Sequence, residues 1–213
     1  MNREIKFRGL DQKGKWHFGD WVCDPNGCKI YYTIDIPPCM SDPGGDTRFE
    51  RIEVDFKSVG QYTSLKDSKG VEIYEGDIIR FREPYRSHQT HVGNNIPNGA
   101  YTEPMEALIR TIETEVFFKD GCFTIEFERN DDDGYPNHEI TWPITWSIPQ
   151  YDEDAIKSLI AINKPGYDIW DDPEEGDLQW LLENYNLKDL KELIEYCNCF
   201  EVIGNVHQNP ELI

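Results

Sequence analysis

Apolar and polar residues alternate one for one through much of the first 127 positions, the period of a strand half buried in a sheet. In "EIKFRG", Ile5 and Phe7 face one way while Glu4, Lys6 and Arg8 face the other. "DQKG" turns the chain, and "WHFGDWV" follows as a second strand with Trp16 and Phe18 on one face. "DPNG" at 24–27 is a turn in composition, because proline presets φ and glycine accepts a positive one. "KIYYTIDI" is a third strand, "PPCMSDPGGD" a loop, and "RIEVDF" a fourth strand with Ile52, Val54 and Phe56 aligned.

The middle of the chain is built around corners. "KDSKG" reads as a hairpin-type turn, and "IYEGDIIRF" sets the pair Gly76–Asp77 between two apolar runs. Glycine lets the backbone bend there without a Cβ clash, and Asp77 can hold neighbouring backbone N–H groups. Gly76 and Asp77 are therefore expected to form a structural turn and not a catalytic acid. On that reading an asparagine, which keeps an acceptor oxygen, would serve nearly as well at 77. Residues 83–104, polar and without period, read as a long loop. In "TEVFFKDGCFTIEF", Asp120–Gly121 is a two-residue hairpin turn. Its register sets Val116 against Ile125 and Phe118 against Phe123, all four on one buried face.

The period changes to helical only late. Ile156, Leu159 and Ile160 follow an acidic start, and Leu178, Leu181, Leu182 and Tyr185 form a second stripe. A final helix begins with Asn186 as its cap and carries Leu187, Leu190, Ile194 and Cys197 inward. "FEVIGNVHQNPELI" then closes the chain with a short strand and an "NP" turn. Many short strands between turn signals indicate an all-β barrel or sandwich, with the helices packed outside it.

Charge divides the chain. Across 213 residues the net charge is −20. Residues 1–60 carry 9 basic and 10 acidic side chains, residues 61–127 carry 7 and 11, and residues 128–213 carry 5 and 20. The last part, at −15, would repel a phosphate backbone and argues against nucleic acid as the main partner. A small basic face formed by Arg80 and Arg82 on one strand, with Arg86 nearby, is the candidate interaction site. It keeps nucleic-acid binding open as the alternative to a protein partner. An oligomer of the chain itself is compatible with everything here.

Six cysteines in a cytoplasmic chain are expected as reduced thiols. Cys23, Cys28, Cys197 and Cys199 lack the knuckle spacing of a structural zinc site. "RNDDDGYPN" and "DDPEEGD" fail the calcium-loop pattern, and His88 and His91 lack a metalloprotease motif. No metal, cofactor or catalytic constellation is indicated. No apolar run reaches membrane-spanning length, and "MNREIKFRG" is too charged for a signal peptide, so a cytoplasmic protein is expected.

Three stretches, "REIKFRG", "QYTSLKDSKGVEIYEGDIIRF" and "FEVIGNVHQNPELI", resemble the signature blocks of the YopX family of phage, prophage and mobile-element proteins. The resemblance implies a mainly β fold with a small SH3-type β-barrel core, but no catalytic residues. The chain is then expected as an N-terminal β region over 1–60 and the barrel over 61–213. An acidic helical insertion at about 150–196 precedes the closing strand 200–206. The family carries glycine where Ser64 stands, so the turn there is expected to differ. The function implied is that of an interaction module, by analogy with SH3-type barrels.

Overall fold

Alternating residues sort onto opposite faces of two antiparallel sheets in the computed structural model, which describes residues 4–36, 46–92, 100–129, 138–147, 150–161 and 175–212. The first sheet holds β1 (Phe7–Leu10), β2 (Trp16–Asp24), β3 (Gly27–Ile36), β4 (Asp46–Val54), β5 (Gly60–Lys66) and β6 (Glu72–Tyr74). Its order is β4-β3-β2-β1-β5-β6. The second holds β7 (Asp77–Val92), β8 (Ala100–Lys119), β9 (Cys122–Arg129), β10 (His138–Pro143) and β11 (Phe200–Asn205), in the order β10-β9-β8-β7-β11.

The chain divides into two compact units. The first comprises Met1–Ile78, Glu115–Phe123 and Val202–Ile213, and the second Ile79–Thr114 and Thr124–Glu201. The expected closed barrel does not form. Each sheet ends in strands with one neighbour, and β6 is only three residues long, so the first sheet stays open. The closing strand β11 does lie beside β7, the strand that "GDIIRF" begins.

In the first unit, β2, β3 and β4 pair without a register shift, setting Trp21 beside Ile30 and Ile30 beside Ile52. This face is the core: Cys28, Ile30 and Val54 are buried, with Phe7, Trp21, Tyr32, Ile52 and Val59 packed against them. Ile5, expected to share the buried side, is exposed just before β1. Cys23 and Cys28 occupy opposite positions on β2 and β3 and are joined by a disulfide, Cα–Cα 4.2 Å. The expectation of free thiols is corrected there, because cross-strand register brings the two sulfurs together. Among the described residues Cys122, Cys197 and Cys199 are free.

Turn chemistry explains the backbone specials. Asp120 and Gly121 both have positive φ, 53° and 87°, as a type I′ hairpin turn requires. Val116, Phe123 and Ile125 are buried on the expected face, whereas Phe118 at the turn end is 48% exposed and meets Phe123 edge-on. Ser64 has φ 71°, within the register shift between Tyr62 and Lys66 where β5 pairs with β6. The glycine that the resemblance implies at this position would have a physical cause. A left-handed residue is needed, and serine holds that conformation against its own Cβ.

The expected loop at 83–104 is instead largely strand. β7 runs to Val92 and β8 starts at Ala100, so these polar stretches pair with each other and need no apolar period. The loop at 37–45 and the acidic segments at 130–137 and 171–174 lie outside the described residues, as do the side chains of His88, His91, Leu159, Ile160 and Leu181.

In the second unit, α1 (Ile144–Ser147) follows β10. α2 (Glu153–Ala161), α3 (Glu175–Asn184) and α4 (Leu190–Cys197) gather around Ile109 of β8. Ile156, Leu182, Leu193 and Cys197 are buried in that cluster, and Leu178, Tyr185, Leu187, Leu190 and Ile194 pack against it. Leu193 extends the expected stripe. The Tyr185 hydroxyl accepts from the Ile109 N–H (2.6 Å) and donates to the Ile109 carbonyl (3.1 Å).

Asn186 is not the cap of α4. It ends α3 in the left-handed region (φ 53°), with its N–H donating to Glu183 O and Leu187 N–H to Leu182 O. The cap is Asp189, whose carboxylate accepts from Glu192 N–H at 2.9 Å. Among the described residues no helix is long and apolar enough to cross a membrane.

Two outcomes follow from the turns. Ser64→Gly should raise stability by about 1 kcal/mol, since glycine removes the left-handed penalty. A thermal melt measures it, and a lowered melting temperature would contradict the strained-turn reading. Asp11 accepts from the Lys15 and Lys13 N–H groups and from His17, and these bonds lower its carboxyl from 3.8 to about 2, Lys15 contributing most. The stability it contributes is full above its unfolded value and is lost as pH falls through about 2. NMR titration of the Asp11 side chain should show that low midpoint, and Asp11→Ala should flatten the pH dependence of stability in that window.

Candidate functional site

β6 and the first residues of β7, all in the first unit, meet at the corner Glu75–Gly76. Gly76 has φ 80°, so its left-handed backbone, more than space, calls for glycine: a Cβ would meet nothing closer than 3.4 Å. Its N–H donates to Val116 O (2.7 Å) and its carbonyl accepts from Val206 N–H (3.0 Å). The corner is thereby tied to β8 and to the segment after β11.

Asp77 follows, 1% exposed. One carboxylate oxygen accepts from the Tyr74 N–H at 2.7 Å. The other accepts from Arg8 Nη2 at 2.6 Å and from Asn205 Nδ2 at 3.4 Å. Asn205 in turn accepts from His207 N–H at 2.9 Å. Arg8 also donates to the Glu75 carbonyl, and its guanidinium lies between the rings of Trp16 (4.4 Å) and Tyr74 (4.8 Å). Its Nε, buried, has no partner among the described residues. Trp16 Nε1 donates to Gln208 Oε1 at 2.9 Å, extending the network to the C-terminal turn.

Burial pushes the Asp77 carboxyl up, while Arg8, the Tyr74 amide and Asn205 pull it down. Burial also raises the Tyr74 hydroxyl, which donates to Glu72 at 2.7 Å, and it lowers His207 with help from the Arg8 charge. Glu72 also binds Lys6, whose ammonium lies within 6 Å of the Phe18, Tyr62 and Tyr74 rings. Both carboxylate oxygens of Asp77 are engaged, by Tyr74 on one side and by Arg8 and Asn205 on the other. Chemically the arrangement can lock three segments together. Sequence reasoning placed Asp77 at the corner but missed Arg8, Trp16 and Asn205. An arginine inside a half-buried strand was the available signal.

The arginine candidates lie elsewhere. Arg80, on β7, forms an ion pair with Glu113 of β8 at 2.6 Å. Arg82 lies 4.0 Å over the Tyr196 ring and donates to the Tyr196 carbonyl at 3.4 Å. Arg86 belongs to the same strand, and its side chain is outside the described residues. Burial pushes the Cys197 thiol up to about 12. Among the described residues no three His, Cys, Asp or Glu side chains gather as a metal site.

An open two-sheet β protein whose first, middle and last segments converge on one buried Arg–Asp–Asn centre is the class defined here. The chain belongs to the YopX protein family, which matches residues 6–146 and 151–213, the helices included. No curated protein matches it. A solved structure, the crystal structure of protein EF1440 from Enterococcus faecalis, is similar at 16% identity over 99% of both chains, with a TM-score of 0.39. Arg8, Asp77 and Asn205 fall one in each of the three stretches singled out in the sequence.

The lock reverses the expectation for asparagine at 77. Asp77→Asn would keep the Tyr74 bond but leave the Arg8 charge buried without its counter-ion, so it should cost about 3–5 kcal/mol, close to Asp77→Ala. Denaturant unfolding of Asp77→Asn, Arg8→Met and the double variant tests this. The double should lose much less than the sum of the singles. A cheap Asp77→Asn with strict additivity would show that the pair is not coupled.

Proposed function

We propose that the protein is a non-catalytic protein-interaction module whose contact surface is the solvent face of β2, β3 and β4. One observation carries this reading. Every exposed large apolar side chain among the described residues belongs to the first unit: Ile5, Phe18, Val22, Phe49, Phe56, Val71 and Phe118. Strand register groups three of them. Val22 lies beside Lys29, which lies beside Glu53; Asp20 lies beside Tyr31, which lies beside Arg51; Thr33 lies beside Phe49, and Phe18 precedes Asp20 on the same side. Apolar and aromatic groups interleaved with both signs of charge suit a protein surface better than a phosphate backbone.

The nucleic-acid alternative draws less support, because Arg80 and Arg82 spend their charge on Glu113 and Tyr196. The family's phage and mobile-element setting makes a host or phage protein the expected partner, and a cytoplasmic location belongs to the same proposal. The acidic segment at about 150–196, which the family match also spans, is taken to keep the molecule soluble.

The test is capture from host lysate with the full chain and with a Val22→Asp/Tyr31→Asp variant, read by mass spectrometry. Proteins retained by the wild type should be lost by the variant while its melting temperature is unchanged. Identical capture by both would remove this face as the contact surface.

A further inference from the structure

The first sheet has two ends, and they are unlike. β6 is three residues long, whereas β4 is nine residues paired along its whole length with β3, Ile36 against Asp46 through Cys28 against Val54. No described residue pairs with the outer edge of β4. Proteins usually guard such edges with proline, bulges, short strands or charged side chains, and β4 carries only the last of these, Asp46, Arg48, Glu50, Arg51 and Glu53, so the order of its charges decides what can pair with it. The sequence of β4, "DTRFERIEV", has no proline, lysine or glycine, and its pairing with β3 has no bulge. Phe49 at its middle is 77% exposed, more than any other large apolar side chain described.

We infer that a second copy of the chain pairs with this edge, β4 against β4 antiparallel, about a two-fold axis at Phe49. A two-fold axis through a continuous sheet keeps each face on its own side, so paired positions differ by an even number of residues. Centring on Glu50 sets that carboxylate against its own copy, and centring on Arg51 does the same with a cation. Like charges directly opposite destabilise a strand pair. Centring on Phe49 sets ring against ring and Thr47 against Arg51. It sets Arg48 of each copy against Glu50 of the other. Arg48 and Glu50 already pair with each other within one chain, so they share a face and exchange partners across the axis. The order of charges along β4 is therefore complementary to itself in this register.

This goes beyond the interaction-module reading and does not rest on it. Val22 and Tyr31 lie on inner strands and take no part in the edge. Pairing would bring the solvent faces of both copies onto the same side of one longer sheet.

Sedimentation equilibrium of the full chain between about 1 and 100 μM tests the inference, with circular dichroism confirming that each variant is folded. The wild type should show a concentration-dependent monomer–dimer equilibrium. Arg48→Glu and Glu50→Arg should each weaken it by about tenfold, the double reversal should restore it, and Phe49→Lys should abolish it. Val22→Asp should leave it unchanged, which separates failure of this inference from failure of the partner surface. A monomer throughout would overturn the dimer. A dimer indifferent to Phe49→Lys and to both reversals would overturn the β4 edge as its site.

Discussion

The buried ion pair between Arg8 and Asp77 is the constraint on which the first unit depends. Neither charge could be buried alone at tolerable cost. Together they are admissible because each neutralises the other, both Asp77 oxygens are bonded and the guanidinium is flanked by rings, although Arg8 Nε stays without a partner among the described residues. Asp77 takes the Tyr74 amide and Asn205, and Arg8 takes the Glu75 carbonyl and two aromatic faces. Such a centre is directional where apolar packing is not. A one-residue slip of β1 would strand a charge, and a slip of β11 would take Asn205 away from Asp77. It therefore fixes how residues far apart in the chain are registered.

The backbone around this centre is shaped by residues in the left-handed region. Gly76 turns the chain at the corner, and its N–H and carbonyl bind Val116 and Val206. Ser64 takes a similar conformation in the neighbouring strand pair without glycine's freedom. In the second unit Asn186 does the same at the end of α3, where its short polar side chain tolerates what a branched one would not. Sharp bends concentrated at such positions let short strands change direction without breaking their pairing.

The second unit is stabilised differently. Its helices bury Ile156, Leu182, Leu193 and Cys197 around Ile109, and the Tyr185 hydroxyl satisfies both backbone groups of that residue. Arg82, legible in the sequence as a free cation, is held on the Tyr196 ring. Glu153, Asp154, Glu183 and Glu195 expose their charge to water, and α2 and α4 carry i,i+4 ion pairs such as Lys157–Glu153 and Lys191–Glu195.

Period and turn chemistry were local, and the sequence determined them by itself. The early strands, the Asp120–Gly121 hairpin, the corner at Gly76 and the apolar stripes of the helices are written in spacings of two to four residues. What spans dozens of residues was left to tertiary structure. The polar stretch at 83–104 is strand only because β7 and β8 pair with each other, and pairing carries no signature in either strand alone. Cys23 and Cys28, only five apart, are the local exception: the turn at 24–27 sets β2 and β3 in the register that brings them opposite each other. Arg8 became the partner of Asp77, sixty-nine positions away, because sheet order brought them together. A charge in a sequence does not announce whether water or a buried carboxylate will answer it, since that depends on what the rest of the chain excludes from its surroundings.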